Sequence, residues 1–426
     1  MPQVQDKAPI DQTDESSAAA SALAPGRVDA ADFGWLREPA PVVKRTTALR
    51  QTPLLQALVI FGVSRLLFVL ITYVGFVLFN ASTYSHASVG VGNLLQSWDQ
   101  WDAKWYLEIA QHGYYTINQT AFFPLYPLLI YLGTLPFGGA GAYVVGLVVS
   151  NLAFFGAIWA FLTLAEQECG RKVAARSAWY LALFPTALFL FAPYSESLFL
   201  LLAITCFLAM RRERWWLAGI LGLLAALTRS AGVLLALPFA IEYLGRRNWQ
   251  WRRVQADVLS IALIPAGLGL YATFCWLRFG DPLSFSHVQA HWGRAISLPW
   301  TGLWRQVVGL WQAAPASFFQ VHDLLDLGAT LFVAFLLWRG WRRLPRSYSL
   351  YALALLVTML LFPGGGHTGY LDPLASNQRF ALEVFPAFLT LGLLARRPTT
   401  HQALLVVFSG LLAVLSLVFM TGRWFV

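Results

Sequence analysis

Apolar residues run along this chain in long blocks, and charged and turn-forming residues gather in short stretches between them. The first block, Leu54 to Phe79, exceeds the roughly 20 residues that a helix needs to cross a hydrocarbon core of about 30 Å. Further blocks of helical character follow at 141–165, 177–192, 195–210, 215–228, 230–244, 256–277, 323–338, 348–363, 380–395 and 402–420. The pattern predicts an all-α, polytopic transmembrane protein of about eleven spans. The short alternating segments of a membrane barrel are missing from it.

Two segments do not fit a simple alternation of spans and loops. Residues 122–137 are apolar but contain Pro124, Pro127 and Pro136, and a full span there would move the Arg171 cluster to the outer side. A partly inserted or re-entrant segment, with its backbone covered by protein, is the expectation. Residues 215–244 must enter and return on two arms of about 14 residues, each roughly 21 Å long at 1.5 Å per residue. Their turn, Thr228-Arg229-Ser230, is expected within the membrane profile against a cavity.

Composition narrows the class. Of 426 residues, 58% are hydrophobic and 12% charged, and the mean hydropathy is +0.58. Soluble proteins carry about 25% charged residues. The net charge of +9 suggests nucleic acid only until its distribution is read. Basic residues cluster at Lys44-Arg45-Arg50, Arg171-Lys172-Arg176, Arg211-Arg212-Arg214, Arg246-Arg247 with Arg252-Arg253, Arg339 to Arg346, and Arg396-Arg397. Such clusters mark cytoplasmic loops, so no nucleic-acid partner is expected. The N-terminus is then cytoplasmic, the C-terminus extracytoplasmic, and the chain a multi-pass protein of the cell membrane. Residues 1–50, rich in Ala, Asp, Ser and Pro, read as a disordered cytoplasmic tail without the signature of a cleavable signal peptide. The membrane domain covers 51–426, with outer loops at 80–121 and 278–322. Cys169, Cys206 and Cys275 give no disulfide framework and read as small buried apolar residues.

This topology collects the unusual polar segments on the outer face. They are "SWDQWDAKWYLEIAQHGYY" (Ser97 to Tyr115), "APYSES" (Ala192 to Ser197), "RFGDPLSFSHVQAHW" (Arg278 to Trp292) and "GGGHTGYLDPLASNQR" (Gly364 to Arg379). On one helix, Trp98, Asp102, Trp105 and Tyr106 would occupy neighbouring positions. Interfacial Trp and Tyr are ordinarily belt residues. A carboxylate among aromatics at a bilayer, however, needs a partner or a task, which singles out Asp102. Asp99 is expected to face away and be solvated, and Lys104 and Glu108 to form an i, i+4 surface pair. Glu196 suits a helix start, where its charge complements the dipole, and Asp281 in Gly-Asp-Pro suits a turn. Arg229, in a short helical hairpin, requires an anion: a protein carboxylate or a ligand phosphate.

"WDAKWYLEIAQHGY" followed by "TAFFPLYPLL" resembles the hallmark of the PIG-V type mannosyltransferases, which add the second mannose of GPI anchors, and of their bacterial homologues. The resemblance continues in "ALFPTALFLFAPYSESLFLLL", "AALTRSAG", "FGDPLSF" and "NQRF", in order over about residues 54–426. It implies a GT-C glycosyltransferase fold whose first outer loop carries amphipathic helices and the catalytic carboxylate. It also implies a polyprenyl-phosphate-linked sugar donor, here mannose, used at the extracytoplasmic face. Asp102 matches the aspartate of the Trp-Asp motif, and Trp101, Trp105, Tyr106, Pro124, Glu196, Arg229, Asp281 and Arg379 fall within the family's motifs. The doubled "SWDQWD" departs from the family pattern and offers Asp99 as a decoy for Asp102.

The implied mechanism makes Asp102 the general base on an acceptor hydroxyl. Arg229, Arg379 and His367 would neutralise the leaving lipid phosphate, and the anomeric centre would invert. The acceptor would be a glycan, a glycolipid or a protein. The scheme uses no nucleotide and no other cofactor, and it works without a metal while leaving room for a divalent one. His367 and Asp372 would supply two ligands, too few for a site. The rival reading is a transporter or lipid flippase with an outward-facing polar cavity. Broken helices suit that reading, but the polar segments show no internal repeat and gather on one face only.

Overall fold

The computed structural model describes residues 52–80, 89–365 and 372–424. The expected tail, 1–50, lies outside the described residues, as do parts of two segments expected as outer loops and His367 within one of them.

Secondary structure among the described residues is entirely helical. The chain opens with α1 (Pro53–Leu70), which continues through a π-helical turn, Ile71–Phe76. After a polar segment come α2 (Asp102–His112), α3 (Leu125–Thr134), α4 (Ala142–Cys169), α5 (Arg171–Ala182) and α6 (Glu196–Arg211). The hairpin α7 (Trp215–Thr228) and α8 (Ala236–Arg246) follows, and then α9 (Leu263–Phe279), α10 (Pro299–Gln312), α11 (Phe318–Gly340) and α12 (Arg346–Leu361). A short turn of helix, α13 (Asn377–Phe380), precedes α14 (Phe385–Leu394) and α15 (Pro398–Met420).

Five helical segments among the described residues are long and apolar enough to cross a membrane: Pro53–Phe79, Ala142–Cys169, Ala256–Phe279, Phe318–Gly340 and Pro398–Met420. Shorter apolar helices occupy Leu125–Phe137, Trp215–Thr228, Arg346–Leu361 and Phe385–Leu394. Multi-pass membrane architecture follows, but length and composition alone do not reach about eleven spans. Two expected spans are broken. The block 177–192 leaves its helix at Ala182, just before Phe184-Pro185, where proline lacks an N–H and biases its predecessor away from helix. The block 380–395 is helical as α14 only from Phe385, again beside a proline, Pro386. The proline-rich stretch 122–137 is helical over Leu125–Phe137, some 20 Å at 1.5 Å per residue, which is short for a full crossing.

The helices sort by burial. In α6, 13 of 16 residues are buried, as expected of a helix apolar on every side. It packs between α4 and α7, and α7 lies against α9. That last contact depends on glycine: a Cβ on Gly219 would sit 2.3 Å from the Ser260 carbonyl oxygen, and one on Gly267 would sit 2.4 Å from that of Leu223. Small residues let helix backbones approach where lipid offers no hydrophobic drive to association. On the periphery, α1 leaves Leu66, Val69 and Leu70 exposed, a surface suited to acyl chains. The segment 278–322, expected as an outer loop, is not simply loop, because it contains α10, whose Trp300, Trp304 and Trp311 are exposed. Such exposed tryptophans belong at a membrane–water interface.

The two ends of α6 carry different chemistry. At its C-terminus Arg211 pairs with Glu168 at 2.6 Å and Glu242 at 3.2 Å, tying α4, α6 and α8 together. Its N-terminus carries Glu196, about 22 Å away along the axis.

Candidate active site

The polar segment Ser97 to Tyr115 does not form one helix. Trp98 is buried before the helix starts, its Nε1 donating to Thr72 Oγ1 at 2.9 Å and its ring wedged against Phe68 and Phe191. Trp101 then takes φ 54°, ψ −117°, and α2 begins at Asp102. Tyr194 pins this reversal by donating its hydroxyl to the Gln100 carbonyl at 2.9 Å. The expected shared helical face of Trp98 and Asp102 is therefore corrected, because the left-handed residue between them re-aims the chain. Six described residues other than glycine have positive φ. Two of them, Trp101 and Ser376, directly precede the helices that carry Asp102 and Arg379. Backbone strain of this kind costs about 1–3 kcal/mol per residue and persists only where surrounding packing enforces it.

Around Glu196 the sequence-distant candidates meet. Glu196 is fully buried, and its Oε1 receives Arg229 at 2.7 Å and Arg379 at 2.5 Å. Arg229 continues through Nε to Glu383, 2.8 Å away. Arg379 continues through NH1 to Asp102 Oδ2, 2.5 Å away. The result is one chain of alternating charge, Glu383–Arg229–Glu196–Arg379–Asp102. Arg229 also donates to Ser195 Oγ at 3.2 Å, and that hydroxyl shares a 2.8 Å bond with Tyr106. Burial pushes the Tyr106 phenol up to about 12, so it stays protonated. Arg379 lies over the rings of Phe189 and Tyr194, which fixes its plane.

Asp102 is the open end of this chain. Its side chain is 27% exposed, whereas Arg379 is 5% exposed and Glu196 fully buried. Arg379 holds one carboxylate oxygen, Oδ2. A cleft of about 450 Å³ is lined by Gln100, Trp101, Lys104, Trp105, Glu108 and Gly422; Asp102, the residue after Trp101, is not part of that lining. Trp105 stacks on Phe122, and Trp101 meets Trp424 edge to face. The expected Lys104–Glu108 pair is not among the described ion pairs, since Glu108 accepts a hydrogen bond from Tyr115 instead. Asp99 is half-buried rather than solvated, and burial holds its carboxyl above the usual range against the opposing pull of Lys104.

The remaining candidates divide. Arg229 has found its anion in protein carboxylates. Pro124 caps α3. Asp281 closes its own turn, accepting from the Leu283 N–H at 2.9 Å and lying 2.7 Å from His287 Nδ1, and none of its bonds reach the Glu196 group. His367 is outside the described residues. Sequence reading missed Glu383, whose i, i+4 spacing from Arg379 was an available signal, and it missed Arg294. Arg294 is half-buried and donates to the carbonyls of Phe362 at 3.4 Å and Ala375 at 3.0 Å. It shares the Phe380 ring with Arg229 and pairs with no carboxylate among the described ion pairs. Burial draws its guanidinium below the ordinary arginine value, with Asp372 opposing. It lies near enough to feel both Asp102 and Arg379.

Comparison with known proteins meets the part of the site before residue 248. Residues 56–248 match the family model described as Mannosyltransferase (PIG-V). GPI alpha-1,6-mannosyltransferase 2 of Mus musculus is 35% identical over 214 residues, covering 45% of this chain and 43% of that protein. The Cricetulus griseus protein of the same description is 36% identical over 153 residues, 34% of this chain and 31% of its own length. GPI mannosyltransferase 2 of Schizosaccharomyces pombe is 24% identical over 232 residues, covering 49% and 50%. The matches thus span half or less of these relatives. Among solved structures, ArnT from Cupriavidus metallidurans bound to undecaprenyl phosphate is similar at a TM-score of 0.46 and 17% identity, over 82% of this chain and 61% of its own. An oligosaccharyltransferase from Archaeoglobus fulgidus is similar at a TM-score of 0.40 and 13% identity, over 84% and 53%.

Proposed function

We propose that this chain, which matches the PIG-V mannosyltransferase family over residues 56–248, transfers a mannosyl residue from a polyprenyl-phosphate donor to an acceptor hydroxyl at the extracytoplasmic membrane surface. The observation that carries this reading is Asp102, the one solvent-reaching carboxylate of a buried charge chain, on the same helix as Lys104, Trp105 and Glu108, which line an aromatic-walled cleft. Trp101 and Trp105 offer flat faces to a sugar ring, and Lys104 and Glu108 offer polar groups to its hydroxyls.

In the proposed reaction the open oxygen of Asp102 takes the proton of the acceptor hydroxyl. The freed oxygen attacks the anomeric carbon. The bond from that carbon to the phosphate oxygen breaks, the lipid phosphate leaves with the electron pair, and the configuration inverts. A positioned base contributes about 10²–10⁴-fold. Arg379 cannot move far, because Glu196 and two aromatic rings hold it, so it aims Asp102 without reorganising. Arg294, free of carboxylate partners among the described ion pairs, is the better cation for the developing phosphate charge than Arg229, whose charge two glutamates already meet. The acceptor is a glycan, a glycolipid or a protein, the N-terminus is cytoplasmic, and the C-terminus lies outside. The transporter reading gains nothing from the comparisons, whose sequence relatives are mannosyltransferases.

The deciding experiment supplies purified protein with polyprenyl-phosphate mannose, polyprenyl-phosphate glucose and a nucleotide-linked mannose, and follows release of free lipid phosphate or nucleotide. Turnover of the first alone is expected. Turnover of the nucleotide sugar alone would overturn the donor class.

A further inference from the structure

A second polar cluster stands beside the charge chain and is no part of it. The first turns of α11 carry His322, Asp323 and Asp326, and Asp372 stands just before the turn that leads into α13. His322 Nε2 lies 2.8 Å from Asp372 Oδ2 and 3.3 Å from Asp326 Oδ2. One donor atom each from His322, Asp323 and Asp372 fall within 4.8 Å of one another. That is roughly twice a metal–oxygen bond of about 2.1–2.4 Å, the separation of ligands on opposite sides of one ion.

The cluster is sealed. Asp323 and Asp326 are fully buried, His322 is 5% exposed and Asp372 9% exposed. Helix α10 closes over it, with Gly309 facing the Asp323 carboxylate. Asp326 uses Oδ1 to accept the Gln378 N–H at 3.0 Å. Its Oδ2 and Asp372 Oδ1 are buried oxygens that accept no hydrogen bond. Three carboxylates therefore converge on one imidazole, and the nearby arginine, Arg294, spends its hydrogen bonds on backbone carbonyls. Burying a carboxylate at this depth costs several kcal/mol unless opposite charge and hydrogen bonds offset it, and Asp326 Oδ2 and Asp372 Oδ1 lack a hydrogen bond.

We propose that His322, Asp323, Asp326 and Asp372 hold a divalent cation. One imidazole nitrogen among carboxylate oxygens suits Mn²⁺ or Zn²⁺, whereas Ca²⁺ and Mg²⁺ favour oxygen alone. The ion lies next to the turn that carries Arg379, because Asp326 holds the Gln378 backbone and Thr330 Oγ1 accepts from Asn377 at 3.0 Å. It thereby joins α11 to the segment that delivers the arginine of the charge chain, and its role is to position that segment.

The test uses the full-length protein in detergent, stripped with EDTA and equilibrated with Mn²⁺ or Zn²⁺. Bound metal is measured by mass spectrometry, Mn²⁺ additionally by electron paramagnetic resonance, and the thermal midpoint with and without metal. About one ion per chain and a metal-raised midpoint are expected, since binding to the folded state alone stabilises it. His322→Gln and Asp372→Asn should each weaken binding at least about tenfold. Asp102→Asn should keep the ion, so loss of transfer activity and loss of metal are separable. A parent that holds no stoichiometric Mn²⁺ or Zn²⁺, and whose midpoint metal does not move, overturns the proposal and assigns the cluster to proton sharing between His322 and its aspartates. Retention of the ion at parental affinity in both variants overturns it as well. Should the variants fail to fold, the parent titration decides by itself.

Discussion

Replacing Asp102 by asparagine separates chemistry from architecture. The amide keeps the shape of the carboxylate but takes no proton from an acceptor hydroxyl. Losing a general base costs about two to four decades in rate, or about 2.7–5.4 kcal/mol of activation free energy. The structural cost is smaller, because the amide oxygen still accepts from Arg379, and Arg379 retains Glu196 at 2.5 Å and its stacking on Phe189 and Tyr194. Asp102→Asn should therefore fold with a near-parental thermal midpoint, keep its KM for donor within a few fold and lose at least about a hundredfold in kcat. The assay is release of lipid phosphate at saturating polyprenyl-phosphate mannose, with thermal unfolding measured in parallel. Asp99→Asn is the control, because Asp99 sits before the Trp101 reversal and outside the charge chain, and it should lose much less. A kcat within threefold of parent for Asp102→Asn would refute the assignment of the base. A dead Asp99→Asn beside an active Asp102→Asn would move the role to the neighbouring aspartate.

The other predictions concern the groups behind Asp102. Glu196→Gln leaves two arginines facing one another around a buried amide and should destabilise the protein by about 3–5 kcal/mol, read as lost yield and a lowered thermal midpoint. Arg229→Lys keeps a cation but loses the fork that spans Glu196 and Glu383, so stability should fall before donor KM changes, and a pure KM effect would contradict its structural role. Arg294→Ala should raise the KM for lipid-phosphate donors with little change in melting, and an unchanged KM would remove it from the phosphate site. Gly219→Val should abolish accumulation of folded protein, because its side chain meets the Ser260 carbonyl at 2.3 Å. A membrane-impermeant thiol reagent should label Asp281→Cys in intact cells and Arg171→Cys only after permeabilisation, and labelling of both in intact cells would overturn the orientation.

Much of this protein was legible without coordinates because the bilayer constrains it so strongly. A helix that must satisfy its own backbone in lipid advertises itself as a long apolar block, and Pro53–Phe79, Ala142–Cys169 and Pro398–Met420 stand where those blocks are. Asp102, Glu196, Arg229 and Arg379 were each conspicuous for the same reason, since charge beside lipid is costly enough to stand out. Their connectivity was not legible. That Glu196 joins Arg229 to Arg379, that Glu383 closes one end and that Arg294 stays free of carboxylates among the described ion pairs depend on residues up to 183 positions apart. No local pattern encodes which of several possible counter-ions a buried arginine meets, because electrostatic partners are chosen by packing. The same holds for the reversal at Trp101, where a non-glycine residue occupies a left-handed conformation that propensity alone argues against. Tyr194, brought from the start of α6, pins the Gln100 carbonyl beside it. Hydropathy along the chain specifies the solvent each helix needs and the charges that must find partners. Packing between distant segments selects those partners, and so leaves Asp102 as the partly exposed carboxylate of the charge chain.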